Sequence, residues 1–160
     1  MIILRNGKIN VKASCANEFL SNISNTDQLN DKLSKISVAD VILVENIFHL
    51  LSMESQINLI QTILKKTDKL YIHSLFSTPS TYVHYESIRF VKNTVHGDIV
   101  GLKLSGQSLN TFSNSCFIWE LESFCQYIRN SLNYKIEILD DFDSHSNGCE
   151  RLVIIKNEPN

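Results

Sequence analysis

Residues 39–74, ADVILVENIFHLLSMESQINLIQTILKKTDKLYIHS, contain the pattern that decides the fold class. Residues 41–44 (VILV) are apolar on both faces, which is typical of a central strand in a parallel sheet. Apolar residues then recur at helical spacing over 53–66, and residues 69–74 (KLYIHS) predict a second strand. Because a helix of this length joins the two strands, we expect a right-handed crossover with the strands parallel.

The C-terminal part predicts one more helix and two strands. The apolar positions of 119–132 follow helical spacing, 135–139 (KIEIL) alternates with period two, and 151–156 (RLVIIK) is a further apolar run. The connection 140–149 is too short for a crossover helix, so the last two strands should pair antiparallel. We therefore predict an α/β fold with three layers and a mostly parallel sheet that closes with an antiparallel C-terminal strand pair.

The N-terminal part predicts a β-hairpin followed by a helix. Residues 1–13 have strand character on both sides of Asn6 and Gly7, a pair that favours a type I′ turn. Apolar residues at helical spacing over 29–36 predict the helix.

The middle of the chain gives a weaker pattern. Residues 81–91 predict a helix, and 95–117 predict a long surface connection with a short strand at 99–104. We expect one domain over 1–160, with its clearest pattern in 39–160.

Composition excludes several classes of protein. The chain has 160 residues, 43% of them hydrophobic and 20% charged, which is typical of a globular domain. Its net charge of −2 gives no general attraction to nucleic acid or to an anionic membrane. No apolar run approaches the roughly 20 residues that a membrane helix needs. The four cysteines are scattered and no secretory leader pattern begins the sequence, so we expect reduced thiols in a cytoplasmic protein.

Polar residues follow both predicted parallel strands. Glu45 and Asn46 end the first strand, and His73 and Ser74 end the second. Since open α/β sheets bind ligands at the carboxyl ends of their strands, these residues are candidates for one cleft. The alternative for Asn46 is that it only shapes the turn after the strand.

His49 is the candidate for proton transfer. An imidazole has an ordinary pKa of about 6.5, which suits general acid–base chemistry near neutral pH. However, His49 lies within an apolar stretch, and a histidine satisfied at the start of a helix is the alternative.

The segment after the second strand supplies further candidates, and none of them forms a metal motif. Tyr82 and Tyr85 are candidates for substrate contact, or they lie between core and solvent. The histidines lack a metal-ligand spacing, and the acidic residues of 140–149 lack the order of a calcium loop. We therefore expect no metal site.

Several of these segments resemble the C-terminal portion of a class I S-adenosylmethionine-dependent methyltransferase. They are ADVILVENIFHLL, MESQINLIQTILKK, KLYIHS, WELESFCQYIRNSLNYKIEILDDF and GCERLVIIKN, while NGKINVKASCANEFL is similar to the third strand of that family and its turn. The resemblance implies a Rossmann-like fold that uses S-adenosylmethionine as cofactor.

The resemblance also implies roles for individual residues. It places Asn46 and His49 at the methyl acceptor and assigns substrate contacts to His73, Tyr82 and Tyr85. Cofactor contacts fall to Ser14, Cys15, Ala16 and Glu45.

The sequence departs from that family at the cofactor site. Its first forty residues contain Gly7 as their one glycine, so the glycine-rich loop that lets a backbone approach the cofactor is missing. Cys15 takes the position of an aspartate that meets the adenine. Three interpretations follow: an N-terminally incomplete methyltransferase acting on an unidentified acceptor, a subunit whose partner completes the cofactor site, or a non-catalytic binding or scaffolding module on the same fold.

Overall fold

Among the residues that the computed structural model describes, six strands form one mixed sheet and three further strands form a second sheet. The structure describes residues 2–5, 8–10, 26–36, 38–77, 88–92, 99–104, 117–139 and 150–158. The strands are β1 (Ile2–Arg5), β2 (Lys8–Asn10), β3 (Val41–Glu45), β4 (Lys69–Leu75), β5 (Ile88–Lys92), β6 (Ile99–Leu104), β7 (Phe117–Trp119), β8 (Lys135–Leu139) and β9 (Glu150–Lys156). The helices are α1 (Thr26–Ser34), α2 (Met53–Ile63) and α3 (Leu121–Asn130), with a 3₁₀ turn at Phe48–Leu50.

The β3–α2–β4 unit confirms the predicted parallel pairing of two strands joined by a helix. β3 and β4 are parallel, from the pair Val41 and Lys69 to the pair Glu45 and His73. The hydroxyl of Ser52 caps α2 by accepting a hydrogen bond from the backbone N–H of Ser55. Such a cap stabilises a helix by about 1 kcal/mol, because it satisfies one of the free N–H groups of the first turn.

The C-terminal strands confirm the predicted antiparallel pair and add a feature of their own. β8 and β9 are antiparallel, and β9 also pairs antiparallel with β4 along seven residue pairs. The strand order is β2-β1-β3-β4-β9-β8, so the last strand in the chain lies between β4 and β8.

The prediction of a mostly parallel sheet is wrong. Within the described six-stranded sheet, β3–β4 is the one parallel pair and the other four pairs are antiparallel. Both strands that flank the β3–β4 pair, β1 and β9, run antiparallel to it. The ten residues between β8 and β9 are also fewer than a parallel crossover needs. The fold is therefore α/β with a mixed sheet.

The core lies on one face of this sheet. Every second residue of β3, β4 and β9 points into it, including Ile42, Leu70, Ile72 and Val153, which have no exposed surface. All three helices contribute buried side chains to this same cluster. The described residues therefore show one helical layer, and the predicted three-layer arrangement is not seen among them. Burying each such aliphatic side chain contributes about 1.5–3 kcal/mol.

Two predictions in the middle of the chain have different outcomes. The helix predicted over 81–91 is wrong for its last residues, because β5 begins at 88 and pairs antiparallel with β6. The strand predicted at 99–104 is confirmed as β6.

The C-terminal helix begins at 121 instead of 119, since 117–119 pair with β6 as β7. No helix in the described part of the chain has the length and hydropathy needed to cross a membrane.

Candidate functional site

The carboxyl ends of β3 and β4 lie side by side. Glu45 and His73 are register partners, and the backbone N–H of Asn46 donates a hydrogen bond to the carbonyl of His73 at 2.9 Å. The predicted meeting of Glu45, Asn46 and His73 at one edge of the sheet is therefore present. We call this cluster, together with His49, Ser74 and Glu150 described below, the edge site.

Asn46 turns the chain away from the sheet. Its φ of 55° lies in the left-handed region, where asparagine is tolerated better than most residues. Its side chain is exposed, and the 3₁₀ turn begins two residues later. The turn-shaping role that the sequence left open is thus a structural fact, and the exposed amide remains accessible to a ligand.

His49 is held against the end of β4 by two hydrogen bonds to Ser74. Its Nδ1 lies 2.9 Å from the Ser74 hydroxyl oxygen, and its backbone N–H donates to that oxygen at 3.2 Å. Burial lowers the pKa of His49 to about 4, and the nearby Glu150 carboxylate opposes this shift only in part. At neutral pH the imidazole is uncharged, and it is a weaker base than an exposed histidine.

His73 lies between two carboxylates on the other face of β4. Its Nδ1 is 3.8 Å from Oε1 of Glu45, and its Nε2 is 3.9 Å from Oε2 of Glu150. The His73 side chain is 12% exposed, whereas Glu45 and Glu150 are 53% and 28% exposed. The rim of the edge site is therefore acidic, which favours ligand groups that donate hydrogen bonds or carry positive charge.

Sequence reasoning leaves the role of two residues of the edge site unassigned. Ser74 is predicted to line the cleft as a strand end, but the sequence does not show that it is fully buried as the polar position among the core-facing residues of β4. Glu150 was not considered at all. Its place beside His73 depends on β9 pairing with β4, and nothing in the local sequence specifies that pairing.

The structure does not test the remaining predicted site residues. Ser14, Cys15, Ala16, Tyr82 and Tyr85 lie outside the described residues. No group of three histidine, cysteine or acidic side chains in the described ranges could hold a metal ion.

Of the four residues expected to hold S-adenosylmethionine, Glu45 can be tested for fit. Its carboxylate is half exposed at the end of a parallel strand, where it can accept hydrogen bonds from hydroxyl or ammonium groups. It therefore fits the polar part of such a cofactor.

A search of protein-family models finds none that matches the chain, and a search of curated proteins finds none either. The residues of the edge site define what it can do chemically. They offer a fixed neutral imidazole, an exposed amide and two carboxylates. The Ser74 hydroxyl is fully buried, so it is unsuited to act as a nucleophile.

Proposed function

We propose that this chain is a methyltransferase-like domain that binds its ligands at the edge site and transfers a methyl group from S-adenosylmethionine to an acceptor. The observation that carries the proposal is the parallel β3–β4 pair, whose carboxyl ends bring Glu45 and Asn46 next to His73. Ligands of open α/β sheets bind at such an edge. The antiparallel β8–β9 pair adds the C-terminal arrangement that the resemblance implies.

For this function, the main task of the protein is to position the methyl acceptor relative to the methyl donor. S-adenosylmethionine, when bound, supplies a methyl group already activated for attack. The protein then has to hold the acceptor in line, which can account for much of the rate enhancement without an acid–base residue. In this proposal, the exposed amide of Asn46 and the imidazole of His49 hold the acceptor, and the half-exposed carboxylate of Glu45 accepts hydrogen bonds from the cofactor.

A second candidate is a non-catalytic binding module on the same fold. The sequence supports it, since Gly7 is the one glycine of the first forty residues, where the resembled family has its glycine-rich cofactor loop. The missing glycine-rich loop also favours one form of the methyltransferase proposal, in which a partner subunit completes the cofactor site.

Calorimetry with S-adenosylmethionine and S-adenosylhomocysteine separates the two candidates. The first proposal expects binding of both, and it expects Glu45→Gln to weaken that binding by about fivefold, the effect of losing one modest hydrogen bond. Lack of binding of either compound to the full chain would exclude autonomous methyl transfer and leave the binding module.

The matched test of the acceptor side uses the two left-handed asparagines. Asn46→Gly removes the amide without straining the turn, and Asn133→Gly makes the same change at φ 58°, outside the edge site. We expect turnover to fall in Asn46→Gly alone. Equal turnover in the two variants would refute the placement of Asn46.

A further inference from the structure

The directions of the two hydrogen bonds between Ser74 and His49 determine which ring nitrogen of His49 carries the proton. The Ser74 oxygen accepts a hydrogen bond from the backbone N–H of His49 at 3.2 Å. The same oxygen lies 2.9 Å from Nδ1 of that residue. Within the described residues, the hydrogen-bond partners of the Ser74 side chain both belong to His49.

Burial decides the direction of the second bond. Ser74 has no exposed surface, so its hydroxyl hydrogen needs an acceptor inside the protein. Nδ1 of a neutral imidazole accepts a hydrogen bond only when the ring proton is on Nε2. The network therefore satisfies the serine hydroxyl when His49 is the Nε2–H tautomer.

We propose that Ser74 is a positioning residue that locks His49 in the Nε2–H tautomer, so that His49 acts at the edge site as a hydrogen-bond donor to a ligand oxygen and not as a base. The ligand half of this proposal rests on the proposed function, and the tautomer half does not. A donor at this position selects an acceptor molecule that brings an oxygen lone pair to His49. The methyl-accepting atom must then be nucleophilic at neutral pH without losing a proton to this imidazole.

Nitrogen NMR of the full chain tests the tautomer without any cofactor. Two-bond nitrogen–proton correlations show which ring nitrogen is protonated, and His49→Gln identifies the His49 signals among the five histidines. We expect the proton on Nε2, with Nδ1 shifted as for a nitrogen that accepts a hydrogen bond. A proton on Nδ1 of the wild-type protein would overturn the proposal, whatever the variants do.

Substitutions at Ser74 then separate positioning from packing. In Ser74→Ala the Nδ1 signal should move to the position of a nitrogen without a donor, and Ser74→Cys, a weaker donor of similar size, should give an intermediate shift. Ser77→Ala is the matched control, because Ser77 is also buried but donates its hydroxyl to the carbonyl of Trp119. An unchanged Nδ1 signal in folded Ser74→Ala would contradict the proposal.

The same variants give a readout in an active preparation. We expect kcat/KM for the acceptor to fall about fivefold in Ser74→Ala, as for one misoriented hydrogen bond, and to be unaffected in Ser77→Ala. Failure of S-adenosylmethionine to bind would refute the proposed function and leave the NMR result standing, so the two failures are distinguishable.

Discussion

The side-chain oxygen of Gln56 accepts a hydrogen bond from the indole Nε1–H of Trp119 at 2.7 Å, and this bond joins α2 to β7 across 63 positions of the chain. The amide nitrogen of Gln56 donates to the carbonyls of Phe48 at 2.7 Å, Phe117 at 2.8 Å and Leu51 at 3.1 Å. Gln56 has no exposed surface. One amide thus connects the 3₁₀ turn beside the edge site to the second sheet.

Gln56→Leu should lower the free energy of unfolding by about 3 kcal/mol. The change keeps a similar side-chain volume but leaves the indole N–H and three carbonyls without this partner, and each such loss costs about 1–3 kcal/mol. Urea unfolding measures the effect. Gln61→Leu on the exposed side of α2 is the matched control, and an equal loss in both variants would show that the buried amide has no special role.

Gly101→Ala should destabilise the second sheet by about 1–3 kcal/mol, the usual cost of forcing extra volume into a packed site. A Cβ at Gly101 would overlap the ring of Phe117 and lie 2.5 Å from the carbonyl oxygen of Ile118. Thermal unfolding measures the change. The ring of Phe117 is one of the two groups that an added Cβ would overlap. Gly101→Ala should therefore lower the free energy of unfolding less in a Phe117→Leu background than in the wild type. Equal losses in the two backgrounds would contradict this explanation.

His49 should make the protein less stable in acid. Its pKa is about 4 in the folded chain and 6.5 ordinarily, so between these values the unfolded chain binds a proton that the folded chain does not. The free energy of unfolding therefore rises as the pH increases from about 4 to 6.5. The contribution of His49 to this free energy is lost as the pH falls through the same window. Between pH 7 and pH 5 the loss should be about 2 kcal/mol.

Urea unfolding of the wild type and of His49→Gln at pH 7 and pH 5 measures this contribution. Glutamine has no titration in this range, so the variant should show the smaller difference between the two pH values. The same pH dependence in both proteins would show that His49 does not titrate as its burial requires.

Cys125 should resist thiol reagents in the folded chain. It is a free thiol with no exposed surface, and burial raises its pKa to about 11. At pH 8 the thiolate fraction is then about a hundredfold lower than at the ordinary pKa of 9, and the thiolate is the reactive form.

Reaction rates with a disulfide reagent test this after the other three cysteines are replaced by serine. Asn130→Cys combined with Cys125→Ser places a thiol on an exposed position of α3 and serves as the control. Comparable rates for the two thiols would contradict the burial of Cys125.

The central unit could be predicted from the sequence because its signals are local. The run at 41–44 and the helix after it produced β3, α2 and β4 close to their observed bounds. The neighbours of these strands could not be predicted, since nothing in residues 2–5 specifies pairing with β3. At 88–91 the sequence fits both periods: Ile88 and Phe90 alternate with charged or apolar neighbours, while Ile88 and Val91 keep helical spacing. These residues form a strand and not a helix because they pair with β6.

The candidate site divides in the same way. Glu45, Asn46 and His73 were predicted together because parallel strands end at one edge. Ser74 was undervalued because its importance comes from its burial, and Glu150 was missed because it reaches His73 only through the non-local pairing of β9.

The position of β9 between β4 and β8 has a consequence for the growing polypeptide. On the ribosome, β4 is synthesised long before its antiparallel neighbour, so one edge of it stays unpaired until residue 156 has left the exit tunnel. Exposed strand edges promote association with other chains, and pairing of distant segments is slow. Nascent chains stalled before residue 150 should therefore bind chaperones that recognise extended apolar segments. Chains that are completed and released should lose this binding once β9 has paired with β4.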